Sequence, residues 1–99
     1  MLVNMNEILK AAQAGHYAVG QFNTIDTDML EAAISAAEEL RSPLIVGTAE
    51  VLLPYGELSL TGAAFVEAAK RASVPVAVHY DHGVTFDRCM EALRLGTVA

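Results

Sequence analysis

The sequence predicts an α/β domain built from strand–helix units around a parallel sheet. Three observations carry that expectation. Apolar residues fill 54% of the 99 positions, with Ala, Val and Leu dominant and no Trp, which excludes a disordered chain. Short continuous apolar runs such as Pro43–Gly47 alternate with stretches of helical period. The runs also recur at crossover spacing, with about 26 residues from Val19 to Ile45 and about 31 from Ile45 to Val76. Helices are expected on both flanks of such strands.

Met5–Ala14 reads as a short amphipathic helix with Ile8, Leu9 and Ala12 on one face and Gly15 just past its end. Tyr17–Asn23 is the first strand. Thr24–Asp28 is a cluster of capping residues and first-turn acids that opens a second helix, with Met29, Ala32, Ala33, Ala36, Ala37 and Leu40 at helical spacing. Arg41 falls in its last turn, where a cation complements the helix dipole. Pro43–Gly47 is a doubly covered strand, and a loop follows through Pro54-Tyr55-Gly56. The next helix runs from about Ser59 to Ala72 and buries Leu60, Ala64, Phe65, Ala68 and Ala69. Pro75–Asp81 is the third strand. Thr85 is the N-cap of a helix carrying Phe86, Cys89, Met90 and Leu93, and Gly96 is its stop. Thr97-Val98-Ala99 reads as the opening of a fourth strand.

Two architectures fit this order: a small open sheet of flavodoxin-like type, or the first part of an eight-stranded barrel. The third strand points to the barrel. Its even positions, Val76, Val78 and Tyr80, are large and apolar, as packing against helices requires. Its odd positions, Ala77, His79 and Asp81, run from small to polar toward the C-terminal end, the gradient of a barrel interior topped by an active site.

The formal charge of −6, with only six scattered Lys and Arg, argues against nucleic-acid binding. No apolar run approaches the roughly 18 residues of a membrane helix, and the N-terminus has no secretory signal pattern. The single Cys89 has no internal disulfide partner, which favours a reducing, cytoplasmic setting. Its place on an apolar helical stripe reads as core packing. No dinucleotide glycine fingerprint follows the first strand, where Phe22-Asn23-Thr24 stands instead.

Chemistry concentrates in His79-Tyr80-Asp81-His82-Gly83. His79 and Asp81 are two apart on a strand and so share a face. His82 comes where strand gives way to loop, and Gly83 frees the backbone to turn. An imidazole beside a carboxylate at the C-terminal end of a parallel strand suits metal ligation or acid–base work. Taken alone, Asp81 reads equally as a loop cap and His82 as a solvent-facing turn residue. His16 precedes the first strand, at the far end from this cluster, and reads as a surface residue.

Val74–Gly83 is similar to the strand signature of class II, metal-dependent fructose- and tagatose-bisphosphate aldolases. Tyr17–Asn23 resembles the same family, as does the helix Ala32–Arg41 followed by Ser42-Pro43-Leu44-Ile45-Val46. The matches come in order and at the right intervals over essentially the whole chain. The resemblance implies an α/β chain forming the first three to four strand–helix units of a (β/α)8 TIM barrel, incomplete over residues 1–99. It implies a lyase that cleaves a ketose bisphosphate into dihydroxyacetone phosphate and an aldehyde, usually glyceraldehyde 3-phosphate, by zinc-assisted retro-aldol chemistry.

Carried over by position, Asp81 resembles the acid–base residue that exchanges a proton with the C4 hydroxyl. His82 resembles a Zn2+ ligand, and Asn23 a residue of the substrate pocket. His79 looks like an inner-face neighbour that orients the site. One position departs from the family, which commonly has a Ser after the second strand whose hydroxyl holds a substrate phosphate. Here Ala49 stands in its place, with Thr48 or the backbone as the substitute.

Catalytic zinc takes three protein ligands and an open position, and a barrel takes about 250 residues. The expectation is therefore the N-terminal portion of a longer aldolase, inactive by itself, whose other ligands come from later strands. The expected partners are a sugar-phosphate substrate and, as is usual for relatives, further copies in a dimer or tetramer, with no nucleic acid or membrane. The alternatives are a non-catalytic aldolase-like subunit and a free-standing flavodoxin-like domain.

Overall fold

Parallel pairing of three strands organises the chain. The computed structural model describes residues 1–97. In order it contains α1 (Met5–Gly15), β1 (Gln21–Asn23), α2 (Thr27–Glu39), β2 (Leu44–Ala49), a 3-10 segment (Glu50–Tyr55), α3 (Leu58–Arg71), β3 (Val76–Asp81) and α4 (Phe86–Arg94). The sheet order is β1-β2-β3, with Ile45 beside Gln21 and Ala77, and Gly47 beside Asn23 and His79. Leu2 adds a parallel bridge to Val76 on the other edge of β3.

Alternation along the strands separates two faces. Leu44, Val46, Val76 and Val78 pack against Leu30 and Ile34 of α2 and Phe65 and Ala69 of α3. Tyr80 joins Leu53, Leu58 and Ala92 on the same side. The opposite face is covered only at its lower end, where Ile45 and Ala77 meet Ile8 of α1. The crossover helices therefore lie on one flank, and the expectation of helices on both flanks is corrected. A doubly wound sheet places successive helices on opposite faces by reversing strand order. In the flavodoxin-like order the first strand lies between the second and the third, whereas here β2 is central, so the flavodoxin-like alternative does not describe these strands.

Local signals explain the element ends. Asn4 caps α1 by accepting from Glu7 N, Asp26 caps α2 by accepting from Met29 N, and Thr85 caps α4 by accepting from Arg88 N. Three helices close in one manner, with a left-handed residue after the last turn: His16 (φ 56°), Arg41 (φ 52°) and Gly96 (φ 88°). Arg41 thus lies beyond α2 rather than in its last turn, and His16, not Gly15, ends α1. The first strand is shorter than Tyr17–Asn23, and its pairing with β2 starts where Ile45 N donates to Gly20 O.

Expected stripes on three helices are shifted. On α2 the buried residues are Leu30, Ile34 and Ala37, whereas Met29 and Leu40 are exposed. Ala32, Ala33, Ala36 and Ala37 spread the small apolar surface of this helix over a broad arc, and Leu30 and Ile34 mark the edge of it that turns inward. On α3 Leu60 is exposed while Leu58 and Phe65 are buried. On α4 Phe86 and Leu93 are exposed and Ala92 is buried. The fourth strand expected over Thr97–Ala99 falls on residues 98–99, outside the described range. Among the described residues no helix is long and apolar enough to cross a membrane.

Gly47 sits where β2 and β3 come closest, and a Cβ there would lie 1.8 Å from the His79 carbonyl oxygen. Gly47→Ala is expected to cost about 3 kcal/mol, the upper range for overpacking a core. Leu60→Ala should stay within about 0.5 kcal/mol. Chemical unfolding of the two variants checks the contrast.

Candidate active site

The register fixes which polar groups meet. On the face not covered by α2 and α3, Asn23, Gly47 and His79 form one row across the strands, and Ala49 and Asp81 form part of the next row up. Adjacent strands lie about 4.8 Å apart, which places Asn23 roughly 10 Å from His79. Gly47 between them presents no side chain, so the two polar groups face a shared space.

Asp81 is the centre of the cluster. Its Oδ1 accepts from its neighbour His82 N at 3.0 Å and lies 3.5 Å from His79 Nε2. Its Oδ2 lies 3.8 Å from His82 Nε2. The carboxylate is thus flanked by two imidazoles and is itself only 27% exposed. His79 is half-buried, and its Nδ1 is buried without a hydrogen-bond partner in the described structure. His82 is 81% exposed and adopts a left-handed backbone (φ 47°).

His82, rather than Gly83, therefore makes the turn out of β3. Gly83 is demanded by packing instead, because a Cβ there would lie 2.4 Å from Cys89 Sγ and 3.2 Å from the Tyr80 ring. Cys89 is a half-buried free thiol beneath this loop.

Asn23 is oriented by Gln21, whose side-chain amide donates to Asn23 Oδ1. That leaves the Asn23 amide N–H groups to donate elsewhere. Ala49 is buried beside Asp81 and brings no hydroxyl. Thr48 does not substitute for it, because alternation turns Thr48 to the helix-covered side, beside Tyr80.

Glu50, immediately after β2, ties this region together. Its Oε2 accepts from Val84 N at 2.6 Å and Thr85 N at 3.1 Å, and its Oε1 accepts from the Thr85 hydroxyl at 2.9 Å. Desolvation raises its pKa, but the bonds from Thr85 and Val84 outweigh that effect and hold the carboxyl below its ordinary range. The Tyr80 hydroxyl is buried nearby without a well-aligned partner. Burial first, then the Glu50 carboxylate, pushes its pKa up to about 12.

Comparison with known proteins decides the family. The model of the family described as fructose-bisphosphate aldolase class-II matches residues 3–98. The chain belongs to the class II fructose-bisphosphate aldolase family. It is 42% identical over 100 residues to a 6-phospho-5-dehydro-2-deoxy-D-gluconate aldolase from Halalkalibacterium halodurans, covering 96% of this chain and 34% of the relative. It is 45% identical over 96 residues to a fructose-bisphosphate aldolase from Thermus caldophilus, covering 97% of this chain and 31% of the relative. The crystal structure of the YdjI aldolase from Escherichia coli K12 superposes with a TM-score of 0.93 at 31% identity, over 98% of this chain and 38% of that one. The chain spans about a third of the length of the curated relatives it matches.

Class II aldolases are generally zinc-dependent. His82 offers an exposed imidazole, a donor type that zinc takes. Among the described residues, no group of three His, Cys, Asp or Glu is placed to hold a metal ion. The described residues therefore do not form a metal site by themselves.

The bonds to Glu50 and the close packing of Gly83 were not legible from residue type, since both depend on what β2 and α4 bring beside the loop. The lowered Glu50 pKa stabilises the fold above the ordinary value of 4.5, and that stability is lost as pH falls through the lower folded value. The melting-temperature gap between wild type and Glu50→Gln should be constant above about pH 5 and close on acidification. Separately, Gly83→Ala is expected to cost about 1–3 kcal/mol, partly recovered by adding Cys89→Ala, as read by unfolding of the single and double variants.

Proposed function

We propose that the complete gene product is a class II ketose-phosphate aldolase, of which this chain supplies the first strand–helix units of a (β/α)8 barrel and one wall of the active site. The observation that carries this reading is Asp81, held at the C-terminal end of β3 between two imidazoles on the face free of crossover helices. Active sites of barrels lie at that end of the strands.

In this reading Asp81 takes the proton from the C4 hydroxyl of the substrate. The oxygen's electrons form the aldehyde C=O, the C3–C4 bond breaks, and its electron pair passes toward the C2 carbonyl. Backbone anchoring through His82 N and the nearby His79 Nε2 keep the Asp81 carboxylate in one orientation. Asn23 presents its amide donors to the substrate hydroxyls. His82 would hold Zn2+ together with further ligands of the complete gene product. When bound, the ion supplies the positive charge that stabilises the electron pair released on cleavage.

The described relatives are named for two different substrates, a ketose bisphosphate and a phosphorylated keto-sugar acid. With Ala49 buried and Thr48 turned away, neither residue offers a hydroxyl to a phosphate on this wall. The proposed substrate class is therefore a ketose or keto-acid carrying at least one phosphate, with the second phosphate not selected here. A cytoplasmic, homo-oligomeric enzyme is part of the same proposal.

The test uses the complete gene product with fructose 1,6-bisphosphate and with 6-phospho-5-dehydro-2-deoxy-D-gluconate. Asp81→Ala should lower kcat by about 10²–10⁴-fold, the range for loss of a general acid–base, while zinc content is retained. His82→Ala should release the metal. Full zinc loading of the wild type with no cleavage of either compound would instead identify a non-catalytic aldolase-like subunit.

A further inference from the structure

We propose that Glu50 is a positioning residue, which holds the loop after β3 so that His82 and Asp81 keep their working geometry. Resting on the aldolase reading, this inference deepens it, since it concerns what sets the site rather than which groups react. Glu50 touches neither Asp81 nor His82 through a hydrogen bond in the described structure. It acts on the segment that follows them.

The loop needs an external anchor. His82 leaves β3 in the left-handed region, at φ 47°, a conformation that a non-glycine residue keeps only when its surroundings impose it. Val84 is exposed and offers the loop little apolar anchorage. The N–H groups of Val84 and Thr85 lie just ahead of α4, where backbone donors have no partner within the helix. Glu50 accepts both on Oε2 and takes the Thr85 hydroxyl on Oε1. The same hydroxyl oxygen accepts from Arg88 N at 3.4 Å and so caps α4. One side chain at the end of β2 therefore fixes the loop and the start of α4 together, with Gly83 seated on Cys89 and Tyr80 beneath.

A carboxylate adjoining a helix N-terminus is also favourably placed for the helix dipole. Three accepted bonds, rather than charge alone, are what define the loop position. An amide at position 50 keeps one oxygen for the two backbone donors and offers its NH2 to Thr85 Oγ1. A methyl group keeps none of these.

The experiment measures Zn2+ affinity of the complete gene product by competition with a chelator, alongside kcat, KM and amide hydrogen exchange at Val84 and Thr85. Glu50→Ala should weaken Zn2+ binding by about 10–100-fold, the usual cost of removing a group that orients a ligand. Its kcat should fall in parallel, with faster exchange at Val84 and Thr85. Glu50→Gln should recover Zn2+ affinity to within about threefold of wild type, on the same scale of effects. Released amides in Glu50→Ala with Zn2+ affinity unchanged would overturn the proposal, leaving Glu50 as a helix cap only. Equal loss in Glu50→Ala and Glu50→Gln would overturn it as well. A wild type that binds Zn2+ without cleaving substrate fails the aldolase reading alone, and the affinities still decide the role of Glu50.

Discussion

The close approach of β2 to β3 at Gly47 and His79 is the constraint on which the site depends. There is no room for a Cβ at position 47, and the register of this close pair sets Ala49 beside Asp81. Glu50 then emerges one residue later, opposite the loop that leaves β3. A slip of one residue would turn Asp81 toward the helix layer and remove Glu50 from the reach of Val84 and Thr85. The register of β2 and β3 thus sets both the polar face and its support from the end of β2.

The same alternation divides labour along β3. Val76 and Val78 enter the core with α2 and α3, while Ala77 closes the lower end of the other face against Ile45 and Ile8. His79 and Asp81 stand above that plug, where the face opens. An apolar floor thus lies beneath a polar rim, where the Asp81 carboxylate stands between two imidazoles.

Much of this was legible in the residues. The small-to-polar gradient of Ala77, His79 and Asp81 reads directly as an inner face, and Thr85 and Gly96 announce the ends of α4 because caps are local. The family resemblance supplied the roles proposed for Asp81, His82 and Asn23, which spacing alone left open. Other features were not legible. Leu60 and Met29 are apolar yet exposed, since Ala-rich helices do not define a unique stripe and tertiary packing chooses one. Gly83 looked like a turn residue, but the left-handed conformation fell to His82 and the glycine answers to Cys89 Sγ. Glu50 carries no local signal in the sequence because its partners lie 34 and 35 residues away.

The central claim is that His82 and Asp81 form one wall of a metal-assisted site. Anomalous diffraction at the zinc edge, on crystals of the complete gene product loaded with Zn2+, tests it most directly. The expected result is a single strong peak about 2.0–2.1 Å from an imidazole nitrogen of His82, with the Asp81 carboxylate beside the ion but outside its ligand set. A zinc peak held by other residues, with His82 turned to solvent, would contradict it.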